Sequence, residues 1–225
     1  MKIRCSMLVG GCCAPLILAA PATAAFTGLS TESRTNEFGI TVVSLYADFD
    51  QVGDELTAIA ATPLSPLNIS VIDGTFYQHA LGTDRAPIDA MVATAPSLAY
   101  DTFVTIGVEL LGSTGQFEDL SFTAPTWTGF GASSLESISS GWLVLPGSAQ
   151  ADPFNPNFIA GDGRTLIAQL ATTDGSGFEG SMLVQSVSGG MPGMTYASFS
   201  HVVPTPGTLV LLGLAGLASR RRRRR

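Results

Sequence analysis

Turn chemistry recurs at strand-length intervals through the middle of this chain, and that punctuation rules out long helices there. Asp73-Gly74, Gly112-Ser113-Thr114-Gly115, Pro146-Gly147 and Asp174-Gly175-Ser176-Gly177 interrupt runs rich in β-branched and aromatic residues. The runs are Ile40–Phe49, Leu67–Ile72, Thr75–His79, Thr102–Leu111, Gly141–Leu145, Thr165–Thr172 and Phe178–Val187. Asp73-Gly74 and Asp174–Gly177 each separate two such runs, which predicts hairpins. Gly161-Asp162-Gly163-Arg164 reads as the turn leading into another. Only Pro87–Ala93 has room for a helix, and a short one. The expected fold class is all-β, an antiparallel β-sandwich or jelly-roll over residues 25–200. No repeat of fixed period points to a propeller or solenoid.

Both ends have a different character. Met1-Lys2-Ile3-Arg4 is basic, Cys5 to Ala20 is uncharged and mostly apolar, and Pro21-Ala22-Thr23-Ala24-Ala25 follows. A basic start, an apolar helix and a small-x-small site define a secretory signal peptide, residues 1–24. Ala22 and Ala24 fit the two recognition positions, so signal peptidase is expected to leave Ala25 as the new N-terminus. Val9-Gly10-Gly11-Cys12 loosely matches a lipoprotein box, but the apolar run before Cys12 is very short and the Ala-x-Ala site lies downstream. Cleavage after Ala24 removes Cys5, Cys12 and Cys13, which are all the cysteines of the chain, so the exported part holds together by core burial without disulfides. The absence of thiolates also argues against a zinc site, since His79 and His201 alone cannot complete one.

Residues 201–225 form three successive parts. Pro204 and Pro206 keep the Val203-Pro204-Thr205-Pro206-Gly207-Thr208 stem extended. An apolar stretch with Leu209, Val210, Leu211, Leu212, Leu214 and Leu217 follows, short but near the length that spans a bilayer as a helix. Arg220, Arg221, Arg222, Arg223, Arg224 and Arg225 then fix the far end on the cytoplasmic side. The order of stem, short apolar helix and arginine tail resembles a PEP-CTERM sorting domain, which also goes by the name of an ice-binding protein C-terminal domain. It is the tripartite sorting signal of exopolysaccharide-producing Gram-negative bacteria. The resemblance implies transient residence in the inner membrane and recognition by an exosortase-type protease or transpeptidase. It further implies cleavage near Val203, Pro204, Thr205 and Pro206, and delivery to the cell surface or extracellular matrix. The family's Glu between the two prolines is Thr205 here. A plain tail anchor is the alternative reading of the same residues. Within the central region, Val43–Asp54, Leu67–Tyr77 and Tyr100–Val108 resemble uncharacterised secreted proteins of planctomycete-type bacteria, and this likeness implies no activity.

Charge narrows the partners. All 18 acidic residues lie between Glu32 and Glu179, whereas Arg34, Arg85 and Arg164 are the basic residues left between the two end signals. Three against 18 leaves a formal net charge of −15 on that region. Such a surface repels nucleic acid, whose binding rests on lysines and arginines neutralising phosphates.

Candidate chemistry is sparse. Asp48, Asp50, Asp54 and Glu55 form the densest acidic group, and carboxylates at a strand end suit an irregular calcium site. An EF-hand loop counted from Asp48 fails, because its fifth and twelfth positions hold Val52 and Ile59. Asp152, Asn155 and Asn157 make a second oxygen-rich stretch and a second calcium candidate; no other cofactor is expected. His79 ends a predicted strand without a nucleophile motif nearby, and His201 falls in the stem, so a serine hydrolase lacks its parts. Trp127, Phe130, Trp142, Phe154 and Phe158 read mainly as core aromatics, the alternative being a sugar-stacking face. Together these features predict a non-enzymatic, exported structural or carbohydrate-associated protein, with exopolysaccharide as a partner. The alternative is a secreted polysaccharide hydrolase using a carboxylate pair.

Overall fold

The β-branched run Thr41–Phe49 forms a strand buried on both faces, and the molecule is layered around it. The computed structural model describes residues 26–112, 120–123, 129–158 and 162–203. Its strands are β1 (Phe26–Thr35), β2 (Thr41–Phe49), β3 (Glu55–Ala60), β4 (Leu67–Ile72), β5 (Phe103–Val104) and β6 (Ser121–Phe122), continuing with β7 (Ser134–Ser137), β8 (Trp142–Leu143), β9 (Arg164–Thr172), β10 (Gly177–Ser188) and β11 (Met191–Val202). A short helix, α1 (Asp89–Thr94), and 3-10 turns at Pro96–Tyr100 and Ala149–Ala151 complete the elements.

Two antiparallel sheets result, in the sandwich-like arrangement expected of an all-β chain. One has the order β1-β2-β9-β5. The other is built on β10, which pairs with β11 along one edge over its whole length. Along its other edge β10 pairs first with β4, Gly177 to Ser181, and then with β3, Leu183 to Val187. β7 continues outward from β4, whereas β8 and then β6 continue from β3.

Alternation explains the core. Val43, Leu45, Ala47 and Phe49 of β2 share one cluster with Ile69 and Val71 of β4 and Met182 and Val184 of β10. Each large side chain removed from water contributes about 1.5–3 kcal/mol. Trp142 is fully buried there, and its Nε1 donates to Thr105 O at 2.9 Å, so the indole N–H is satisfied. The opposite face of β2 and β9 is covered too, since Ile40, Val42 and Ala171 pack with Tyr77 and Tyr100 from the long 73–111 connection. Where β1 and β11 meet, Thr31 Oγ1 lies 3.0 Å from His201 Nδ1, joining the edges of the two sheets.

Several expectations are corrected. Thr75–His79 is not a strand: Phe76 N–H donates to Ala132 O in the loop before β7 and Tyr77 N–H to Ala171 O on β9, so no single strand takes up its N–H groups. Of Thr102–Leu111 only Phe103–Val104 is a strand, because the chain bends at Gly107, whose φ is 74°. Neither Asp73-Gly74 nor Asp174–Gly177 closes a hairpin. β9 and β10 lie in different sheets, and the two turns pack against each other. A Cβ on Gly74 would sit 2.5 Å from Gly175 Cα, so both positions need glycine-sized backbone. Asp162–Arg164 does not lead into a hairpin either, for Gly163 bonds to Pro153 O and Phe49 N–H. His201 and Val202 are not stem but the end of β11. The short helix at 87–93 is present as α1. Among the described residues no helix is long and apolar enough to cross a membrane. Ala22, Ala24, Ala25, Pro204–Pro206, Leu209–Leu217 and Arg220–Arg225 lie outside them.

Candidate cleft at the β2–β9 end

A concave feature lies at the end of the molecule where β2 begins and β9 finishes. It is a cleft of about 420 Å³, open along one side and lined by Phe38, Ile40, Tyr77, Pro96, Ser97 and Thr173. Each wall has a local cause. In the β1–β2 turn, Asn36 Oδ1 accepts from Phe38 N–H and Ile40 N–H, both at 2.9 Å, and this braced loop presents the Phe38 ring. Phe38 is 58% exposed, and its ring centroid lies 6.2 Å from that of Tyr100. Tyr77 is held by its backbone bond to Ala171 O at 2.7 Å. Pro96 opens the 3-10 turn, where its fixed φ suits the first position, and Ser97 follows it into the wall. No charged side chain belongs to the lining, although the surrounding domain is strongly acidic.

Behind this wall the fold brings together three residues that the sequence separates. Ser97 Oγ is 3.2 Å from His79 Nε2, and Asp101 Oδ1 accepts from His79 N–H at 2.7 Å. The types match a serine-hydrolase triad, but the wiring does not. Leu81 N–H donates to His79 Nδ1 at 3.1 Å, and a backbone N–H can only donate, so neutral His79 carries its proton on Nε2. That proton points at Ser97, which therefore accepts rather than gives. A general base needs the reverse arrangement, with the carboxylate on the ring and a bare nitrogen towards the hydroxyl. Asp101 instead holds backbone. Burial pushes its carboxyl up to about 6, against the lowering effect of N–H groups from His79, Thr102 and Thr83, and the charge of Asp84 adds to the rise.

Compared with known proteins, the chain matches no family model, no curated sequence and no solved structure.

The remaining sequence candidates do not gather at the cleft. Asp48 accepts from Ser30 Oγ at 2.7 Å on β2, Asp50 is exposed in the following turn, and Asp54 is buried with Oδ2 lacking a protein hydrogen-bond partner. Asp152 Oδ1 accepts from Phe154 N–H and Asn155 Oδ1 from Asn157 N–H, so both side chains fold the loop on itself. Among the described residues no three acidic or histidine side chains converge as a metal would require. The aromatics expected mainly in the core behave accordingly: Trp142 is fully buried, and Phe130, Phe154 and Phe158 pack partly buried against the clusters. Trp127 lies outside the described residues.

All three arginines of the domain are committed. Arg34 bonds Glu109 and Gln169, and Arg85 bonds Leu120 O while lying over the Phe122 ring. Arg164 meets Asp162 and Glu32 over the Tyr46 ring. The cleft residues themselves escaped the sequence reading. Asn36-Glu37-Phe38-Gly39 is the one local signal, an aromatic set inside a tight turn where it cannot bury.

Proposed function

We propose that this is an exported protein of the cell envelope or extracellular matrix, sorted through an exosortase-type C-terminal signal. Its folded part acts as a non-enzymatic structural or carbohydrate-associated β-domain, and residues 1–24 and 209–217 supply a signal helix and a transient membrane helix. The observation that carries this reading is the fit between the end of the last strand and the expected C-terminal processing point. β11 ends at Val202, and Val203 N–H still donates to Ser176 O at 2.8 Å just before Pro204. Cleavage there would release the pair of sheets without cutting their last strand. The non-enzymatic reading draws support from the reversed His79–Ser97 polarity. A carboxylate-pair hydrolase would start from Asp101, with its raised pKa, and neighbouring Asp84. Asp101 is 1% exposed and faces backbone N–H groups, which keeps it from a glycosidic oxygen.

The test is the intact mass of the protein in the outer fraction of its host. The expected species starts at Ala25 and ends near Pro204–Pro206. A species in the inner membrane that retains Leu209–Arg225 would make the tail a plain anchor and overturn the sorting reading.

A further inference from the structure

We infer that the cleft between the β1–β2 turn and the Pro96–Tyr100 turn is a binding site for a neutral sugar residue of a polysaccharide. This rests on the reading of the protein as an exported, carbohydrate-associated one and gives that reading a location. The chemistry of the lining selects the ligand. Phe38 and Tyr77 offer aromatic surface, Ile40 and Pro96 add apolar surface, and Ser97 and Thr173 offer hydroxyls. A pyranose needs that combination, with C–H faces to lay on rings and hydroxyls to pair at the edge. Phe38 is the sharpest indication: this large apolar residue stays exposed, on a turn held by two side-chain-to-backbone hydrogen bonds and with its ring near that of Tyr100. A bare loop would tuck such a ring away, because exposing it forfeits burial energy.

Charge excludes other ligand classes. An anionic ligand would need a cation, and Arg34, Arg85 and Arg164 are all engaged elsewhere on a domain that carries 18 acidic residues. A cationic ligand would need a carboxylate in the lining, and the lining has none. An open cleft rimmed by hydroxyls also suits a polymer passing through better than a lipid chain, which needs enclosure. His79 reinforces the site from behind, because its Nε2–H fixes the Ser97 hydroxyl as an acceptor and leaves the Ser97 proton free to turn into the cleft.

The test is affinity electrophoresis of the exported protein in native gels containing dextran, hydroxyethyl cellulose or galactomannan, with alginate as the charged comparison. At least one neutral polymer is expected to retard the protein while alginate does not. Phe38→Ala should weaken that retardation about tenfold, the loss of one aromatic platform. Ser97→Ala should weaken it less, and Val52→Ala, an exposed apolar change beyond the opposite end of β2, should leave it unchanged. Because Phe38 is surface-exposed, its loss leaves the core intact, and an unchanged melting temperature verifies this. Four results would overturn the assignment: no retardation by any neutral polymer, equal retardation of Phe38→Ala, retardation by alginate alone, or polymer-independent self-association that Phe38→Ala abolishes. The last would give the cleft to a second copy of the chain. Intact mass, measured on the same preparations, separates the two readings. Correctly processed protein that binds no neutral polymer sinks the cleft assignment alone, whereas unprocessed protein that binds sinks only the sorting one.

Discussion

Asp101 sits beneath the 79–83 turn with no room around it. A side chain at Gly82 would collide with its carboxylate, and His79 N–H donates to Oδ1 at 2.7 Å. Burial raises its pKa to about 6, so the folded state holds a proton there more tightly than the unfolded chain does. Stability linked to this group is therefore present below the unfolded value near 3.8 and is lost as pH rises through about 6. Acidifying from pH 7 to pH 5 should stabilise the wild type by about 1 kcal/mol relative to Asp101→Asn, which cannot titrate. Thermal melts of both proteins at the two pH values measure that difference, and parallel shifts would show that Asp101 does not titrate in this window. His201 works in the opposite sense. Burial lowers its pKa, so its contribution is lost as pH falls below the ordinary histidine range, and comparing variant with wild type cancels that effect.

The β10–β11 hairpin shows how much a short turn determines. Ser188 and Met191 pair across Gly189-Gly190, whose φ values of 55° and 79° are those of a two-residue turn with both centres left-handed. Gly189→Asn should be neutral or slightly stabilising, since Asn-Gly is favoured there, while Gly190→Val should cost about 2 kcal/mol by forcing a β-branched residue into that region. Urea denaturation of the pair reads this contrast, and equal effects would mean the turn relaxes. The same hairpin marks the limit of what was legible in the sequence. β2, β4, β9 and β10 were legible because they are central and carry dense β-branched runs, with β4 recovered to the residue. β1 and β11 escaped notice because edge strands are half in water: Phe26–Thr35 and Met191–Val202 are rich in Ser and Thr, and Pro192-Gly193 near the start of β11 reads as a turn. Thr75–His79 failed differently. Its residues do suit a strand, but its N–H groups are divided between the loop before β7 and β9, a tertiary demand that no local pattern encodes. The cleft was illegible for the same reason, since Phe38, Tyr77, Ser97 and Thr173 meet only once both sheets exist.

At the scale of the molecule, the last strand ties the two sheets together. Phe199 is 8% exposed within the main core, His201 reaches Thr31 on β1, and Val203 N–H bonds Ser176 O between β9 and β10. If these contacts complete the fold, the folding unit ends at Val203 and owes nothing to the tail. A chain truncated after Val203 should melt within about 1 °C of the chain that retains residues 204–225. Truncation after Ser198 removes the Phe199 ring, worth about 3–5 kcal/mol in a core, together with both ties. For a domain of this size each kcal/mol lowers the melting temperature by about 2–4 °C, so a fall on the order of 10 °C is expected. Differential scanning calorimetry of the two truncations decides the matter. A marked drop on losing only residues 204–225 would mean that the stem packs on the domain. Exosortase-type cleavage near Pro204–Pro206 would then destabilise what it releases, and the coincidence between the strand end and the processing point would lose its meaning.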